Sequence, residues 1–412
     1  MQTVALILSG DRFEDFFDKI GITLELFQTR LTGGWLFNYI KALEGVDIRT
    51  VIVYASARVS EPVRFSHWDT GAAVWVLPSP WLHIKARNVV RRRFPHTLSL
   101  EAASSYLASP LRSLAKVLRE ERCDAILCQE YEDPRFDACL LLGTVLRLPV
   151  FATYQGASRT RSALERAVRR VTVPRAKGLI IPSKSERDRV QQTYRIPDST
   201  IADIPTSVEA VPVRDRNETR ASLGIAPQTY VVAWHGRVQI ETKGLDVLAD
   251  AWQQICTARP DADMLLLFVG SGRDEAVFGE RLRSVPKTRW VNRYVLDRQE
   301  LWSYLAAADL YTIASRHEGF AVAILEAMAC GLPIVASDSP GVIDVIPRGP
   351  IDGGLIVPAG DATALAGALL RVFDDPELAA NLRACVRRRV QAEFSPHVVG
   401  DRLRQLLFPA RS

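Results

Sequence analysis

Short, unbroken apolar runs alternate with longer stretches of mixed polarity along most of the chain. In the first half the runs fall at Val4–Leu8, Ile48–Tyr54, Ala73–Leu77, Ala125–Cys128, Val150–Thr153 and Gly178–Ile181. Runs this short and this uniformly apolar predict parallel strands covered on both faces. Helices are predicted between them at about Trp35–Leu43, Pro110–Glu121, Phe136–Leu146 and Ser185–Thr193. The series breaks at Ile204-Pro205-Thr206-Ser207-Val208, and a polar stretch continues to Arg220. A second series of runs follows at Tyr230–Trp234, Met264–Val269, Trp290–Val295, Leu310–Ala314, Ile334–Ala336 and Leu355–Val357. Ser395-Pro396 opens a last helix, with serine suited to the N-cap and proline to the first helical position. Two such series predict an α/β protein of two Rossmann-like domains with a cleft between them.

Length and composition change this picture little. A chain of 412 residues has ample material for two cores. The formal net charge of +5 is modest, and no nucleic-acid partner is expected from it. Six cysteines include no C-x-x-C pair, and most lie in apolar runs (Cys128, Cys139, Cys256). Reduced thiols in a cytoplasmic protein are expected, and a zinc site is not. Met1–Ser9 lacks a basic leader and is expected to be a first strand rather than a signal peptide. No run approaches the roughly 18 apolar residues that span a bilayer.

The chemistry concentrates after Leu310–Ala314. Arg316-His317-Glu318-Gly319-Phe320 leads into Ala321-Val322-Ala323-Ile324-Leu325-Glu326-Ala327, which sets two carboxylates in an E-x7-E frame. Eight helical residues rise roughly 12 Å, the reach from a hexose across a diphosphate to a ribose. The amides of Gly319, Phe320 and Ala321 are expected between the carboxylates at a helix N-terminus, where backbone donors favour anions. Two glutamates so spaced are also common as solvated surface charge. Position decides for a site, because the carboxyl ends of parallel strands are where α/β sheets bind ligands. The helix is expected to stop at Cys330-Gly331.

Two further sites point the same way. Gly236-Arg237 follows one strand, and Lys243-Gly244-Leu245-Asp246 opens the next helix. Arg237 and Lys243 would bring two cations to the ligand edge, suited to a diphosphate leaving group. Surface exposure is the ordinary alternative for both. Gly270-Ser271-Gly272 is a tight turn after another strand, and it lacks the third glycine of a dinucleotide fingerprint.

Taken in order, Gly236-Arg237, Lys243-Gly244, Gly270-x-Gly272 and Glu318-Gly319-Phe320…Glu326-Ala327 resemble family 4 of the retaining glycosyltransferases, which have the GT-B fold. The resemblance covers essentially the second half. More loosely, Thr32-Gly33-Gly34 resembles the family's glycine loop, and Thr206-Ser207-Val208-Glu209 stands where relatives have Asn-Gly-Val-Asp. It implies an acceptor-side domain at 1–207 plus a returning helix at 395–412, and a nucleotide-sugar domain at 208–394. It implies that Arg237 and Lys243 hold the diphosphate and stabilise the charge of its departure. Glu318 would hold donor hydroxyls with the Gly319 and Phe320 amides, and Glu326 the ribose. Backbone at Val295 and Leu296 would meet the base, with Gly33 and Gly34 approaching the phosphates from the first domain.

One departure matters. Many relatives carry a histidine just past the fifth strand of the first domain, where this chain has Tyr154-Gln155-Gly156. Glutamine cannot act as a base near neutral pH, so a role for Gln155 or Gly156 would be positioning. Glu130 and Glu132 are candidates to touch the acceptor, or plain loop charge. No base is named for the acceptor proton.

Asp261-Ala262-Asp263 spells a D-x-D, but it precedes a strand, at the edge away from ligands. No metal or other cofactor is expected. Ser9–Thr32, rich in acids and aromatics, either covers the acceptor cleft or packs locally as a helix. Basic clusters lie at Trp81–Phe94 (Lys85, Arg87, Arg91, Arg92, Arg93) and from Arg159 to Lys177 (Arg161, Arg166, Arg169, Arg170, Arg175). Solvated helix faces are the plain reading; docking on the inner, anionic face of a membrane is the functional one. The expected activity is hexosyl transfer from a nucleotide-diphosphate sugar to a glycan or lipid-linked acceptor, in cell-surface polysaccharide or glycolipid synthesis. The alternatives are a nucleotide-sugar epimerase on the same scaffold and a nucleotide-sugar-binding protein without turnover.

Overall fold

The computed structural model describes residues 1–32, 34–94, 97–156, 162–209, 211–212 and 215–409. The chain divides into two compact units. The first takes Met1–Leu31, Tyr39–Pro205 and Val399–Ser412, the second Thr32–Asn38 and Thr206–Val398.

The first unit is built on β1 (Gln2–Leu8), β2 (Ile48–Ser56), β3 (Val63–Ser66), β4 (Ala73–Pro78), β5 (Ala125–Gln129), β6 (Val150–Thr153), β7 (Gly178–Ile180) and β8 (Ile201–Ala202). Their order is β3-β4-β2-β1-β5-β6-β7-β8, parallel except for β3, which pairs antiparallel with β4. The apolar runs of β1, β2 and β5 are buried along nearly their whole length, as a sheet covered on both faces requires. The edge strand β3 was not expected: Val63-Arg64-Phe65-Ser66 is mostly exposed and carries no continuous apolar signal. It is held by Glu121, whose carboxylate accepts from Arg49 (2.7 Å), Arg64 (2.9 Å) and Trp75 Nε1 (2.8 Å). The helix Pro396–Leu407 packs in this unit so closely that a Cβ on Gly400 would lie 2.1 Å from the Ala42 carbonyl oxygen.

Ser9–Thr32 folds into two short helices, Phe13–Phe17 and Leu24–Thr29. Phe13 stacks on Phe17 at 4.3 Å and on Tyr54, near the carboxyl end of β2, at 4.9 Å, with Phe27 edge-on to them. The segment thus has its own aromatic core, anchored to the sheet. Asp15 is joined bidentately by Arg87 at 2.5 and 2.7 Å.

The second unit carries β9 (Tyr230–His235), β10 (Met264–Val269), β11 (Thr288–Val291), β12 (Leu310–Ile313), β13 (Ile334–Ser337) and β14 (Gly354–Val357). The order is β11-β10-β9-β12-β13-β14, parallel throughout. One strand differs from expectation: Trp290–Val295 was predicted, and the strand is Thr288–Val291. Its partner β10 stops at Val269, opposite Val291, so nothing remains to pair with Asn292 onward. Gly270 then donates its amide to the Val291 carbonyl, closing the ladder.

Candidate active site at the carboxyl edge of the second sheet

In the second sheet the strand order reverses between β9 and β12, and crevices at such switch points receive ligands. The loops there are packed main chain on main chain. Gly270 has φ +137°, and a Cβ on it would fall 2.0 Å from the Gly236 carbonyl oxygen. A Cβ on Gly244, at φ +60°, would fall 1.9 Å from the Ala314 carbonyl oxygen. Only glycine fits these approaches. Gly272 is similarly tight against Val238, which donates its amide to Ser271 at 2.9 Å. Gly236, Gly270 and Gly272 therefore shape the edge through their backbones.

Lys243 ends the short helix Ile240–Lys243, and Gly244 turns the chain into the helix Leu245–Ala258. That geometry aims the Lys243 ammonium at Glu318, with 2.7 Å to each carboxylate oxygen. Ser315 adds a hydroxyl donor to Glu318 at 2.6 Å. Arg316 fastens the loop from behind, donating to both oxygens of Asp246 at 2.8 and 2.7 Å.

The expected frame needs two corrections. The helix is Val322–Ala329, so Glu318 stands in the loop before it, not eight helical residues from Glu326. The Ala321 amide is already engaged by the Gly341 carbonyl at 3.0 Å, and the Glu318 amide by Pro340 at 3.1 Å. Of the three amides expected to meet an anion, those of Gly319 and Phe320 remain uncommitted among the described residues. Gly341 was missed. At φ +79°, a Cβ there would lie 2.4 Å from the Glu318 carbonyl oxygen, so this glycine sets the height of the Glu318 loop. The turn Ser339-Pro340-Gly341 after a predicted strand was the available signal.

Glu326 projects from the helix Val322–Ala329 and meets His235 Nε2 through Oε2 at 2.9 Å. His235 is the last residue of β9, one past the predicted run Tyr230–Trp234, and the sequence reading gave it no role. Its carbonyl accepts the Tyr311 hydroxyl at 3.3 Å. Burial, with the Glu326 carboxylate adding to it, pushes the Tyr294 hydroxyl up to about 12, while Arg237 draws it down. Arg237 and Glu326 therefore both act on one tyrosine. Arg237 itself is exposed, and its guanidinium enters no hydrogen bond or ion pair among the described residues. Tyr294 and Tyr311 were not singled out in the sequence.

Val295 and Leu296 are half-buried, and the Leu296 carbonyl accepts the Thr32 amide at 3.4 Å. Gly34 has φ +97°. Gly33 lies outside the described residues.

In the first unit, Glu130 and Glu132 are neither free acceptor ligands nor plain loop charge. Glu130 is buried at φ 129°, a strained value for a side-chain-bearing residue. Its Oε1 accepts the amides of Tyr131 (3.0 Å) and Glu132 (3.3 Å), and its Oε2 that of Gln155 (3.2 Å). Glu132 accepts from Arg189 (2.9 Å) and the Tyr194 hydroxyl (2.6 Å). Gln155 points its amide at Thr153 (2.8 Å) and Gln129 (3.3 Å) beside exposed Gly156, whose φ is +76°.

Asp261 and Asp263 are exposed before β10, at the amino edge, where Asp263 accepts the Thr229 hydroxyl at 3.1 Å. The basic clusters are only partly solvated. Arg87 is turned onto Asp15, and Arg169 is fully buried against Glu165 at 3.3 Å. Arg159 and Arg161 lie outside the described residues. Lys85, Arg91, Arg92 and Arg93 are exposed on the helix Trp81–Arg93. No helix among the described residues is long and apolar enough to cross a membrane.

Comparison with known proteins bears on the family and the fold. The family model described as "Glycosyl transferases group 1" matches residues 229–375, and "Glycosyltransferase Family 4" matches residues 50–210. A GDP-mannose-dependent monoacylated alpha-(1-6)-phosphatidylinositol monomannoside mannosyltransferase of Corynebacterium glutamicum is 34% identical over 213 residues, 50% of this chain and 54% of that one. The lipopolysaccharide core biosynthesis mannosyltransferase LpsB of Rhizobium meliloti is 32% identical over 172 residues, 41% of this chain and 49% of that one. The chain thus spans about half the length of the curated relatives it matches. Among solved structures, Anabaena Alr3699/HepE in complex with UDP superposes with a TM-score of 0.70 at 15% identity, over 99% of both chains. Sucrose-phosphate synthase from Thermosynechococcus elongatus gives 0.71 at 21% identity, over 98% of both. Those likenesses establish the GT-B fold. The chain belongs to glycosyltransferase family 4, the group 1 glycosyl transferases.

Proposed function

We propose that this chain is a retaining glycosyltransferase that moves a hexose-type sugar from a nucleotide-diphosphate sugar to a glycan or lipid-linked acceptor, without a metal. The observation that carries the reading is the pair of held carboxylates at the ligand edge, Glu318 on Lys243 and Glu326 on His235. A donor would enter with its sugar hydroxyls on Glu318 and its ribose on Glu326. Its diphosphate would meet Arg237, Lys243 and the Gly319 and Phe320 amides. As the glycosidic bond breaks, negative charge grows on the leaving phosphate, and the two cations and the amides stabilise it. Such donors contribute about 3–4 kcal/mol each at the transition state. The acceptor proton goes to an oxygen of the departing phosphate. Glu130 and Glu132 are buried and engaged, and Gln155 has no basicity near neutral pH.

A role in cell-surface polysaccharide or glycolipid synthesis draws support from the named activities of the relatives. Peripheral work on the inner face of the membrane draws support from the exposed helix Trp81–Arg93. Thermal denaturation with UDP, GDP, ADP, CDP, TDP and, as control, NAD tests the donor class. A ligand at 100 times its dissociation constant stabilises by about 2.7 kcal/mol. Selective stabilisation by one nucleoside diphosphate is expected; indifference to all five sinks the reading. Transfer is expected to persist in excess chelator, and its loss, restored by a divalent cation, would remove the metal-free part.

A further inference from the structure

We infer that His235 is a positioning residue for the nucleotide's ribose, holding the Glu326 carboxylate in the orientation that receives the sugar diol. The inference rests on the donor site proposed above and adds a residue to it.

The geometry is specific. His235 and Glu326 come from different elements, the end of β9 and the helix Val322–Ala329, and meet at 2.9 Å through Nε2 and Oε2. The imidazole is itself fixed. Its side chain is 8% exposed, its ring lies 5.4 Å from that of Tyr311, and its carbonyl takes the Tyr311 hydroxyl. Among the described residues His235 Nδ1 is buried with no hydrogen-bond partner, and Nε2 makes the ring's one polar engagement. A glutamate has three side-chain torsions and would otherwise sample several orientations at the rim. With one lone pair of Oε2 bonded to His235, the carboxylate keeps its remaining acceptor sites for two ribose hydroxyls. Ordering the carboxylate before the nucleotide arrives removes that cost from binding. The role belongs to the binding of the diol, not to the transfer step.

Three substitutions separate hydrogen bonding from packing. His235→Gln places an amide nitrogen the same number of bonds from the backbone as Nε2. His235→Asn stops one bond short, and His235→Phe keeps the ring against Tyr311 but donates nothing. Dissociation constants are measured by calorimetry for UDP, GDP and ADP and for their 2′,3′-dideoxyribose counterparts. For whichever base the unaltered protein prefers, Asn and Phe are expected to weaken the ribonucleotide about tenfold, with Gln within about threefold. The dideoxy ligand is expected to bind all four proteins alike. Equal weakening of both ligands, or a Phe variant that binds the ribonucleotide normally, would show a merely structural residue and overturn the inference. Binding of no nucleoside diphosphate by the unaltered protein would instead remove the donor-site reading, and this assignment with it.

Discussion

Lys243 and Arg237 sit at one edge in different states, the first clasped by Glu318 and the second open. Replacing either by alanine is expected to lower turnover about 100-fold or more, read as kcat with saturating donor. Near-normal rates in both would refute the assignment. Glu130 gives the opposite prediction. Its carboxylate serves three backbone amides at a strained φ, so Glu130→Ala leaves buried donors unpaired and keeps the strain. A loss of about 2–3 kcal/mol in urea denaturation is expected, as for unsatisfied buried groups. The residues differ in how far the sequence shows them. Arg237, Lys243, Glu318 and Glu326 follow strand ends in a recognisable order. The engagement of Glu132 by Arg189 and Tyr194 depends on partners about 60 residues away, which no local pattern reports. His235, one residue past an apolar run, was hidden for the same reason: its partner Glu326 lies 91 residues further on.

At the level of elements, the buried strands were legible because parallel strands covered on both faces read as continuous apolar runs. β3 was not, since an edge strand needs no such run, and β11 was misplaced because its partner ends, a fact of register rather than of residue type. The helices of Ser9–Thr32 are too short to show a period. Edge strands depend on their ties. Against the upward push of burial, hydrogen bonds from Arg64, Arg49 and Trp75 hold the Glu121 carboxyl down at about 2. A carboxyl lowered on folding stabilises fully above its unfolded value, about 4.3, and loses that contribution as pH falls through about 2. Glu121→Gln is therefore expected to lower the urea midpoint at pH 7 and to have roughly half that effect at pH 3. A constant gap at both would contradict the tie. The glycine contacts are sterner. Gly270→Ala must part its loop from Gly236, and a loss of several degrees in Tm is expected, with weaker nucleotide binding in any protein that still folds.

On the scale of the molecule, the exposed face of the helix Trp81–Arg93 combines Trp81 (62% exposed), Leu82, Val89, Phe94 and four cations. Each cation near an anionic lipid surface contributes about 1 kcal/mol. Sedimentation with phosphatidylserine-containing vesicles is expected at low salt, reduced by salt and by joint replacement of Arg91, Arg92 and Arg93 with glutamine. No binding at low salt would end the membrane reading. The division of the chain has a consequence for its birth. The first unit draws on residues 399–412, which follow residue 205 by about 190 positions; at about 5–20 residues per second that is a delay of roughly 10–40 s. Until then the Ala42 and Gly178 surfaces, where Gly400 and Leu406 come to pack, stay uncovered on the nascent chain. The second unit, nearly continuous in sequence, waits on no comparable return of distant chain.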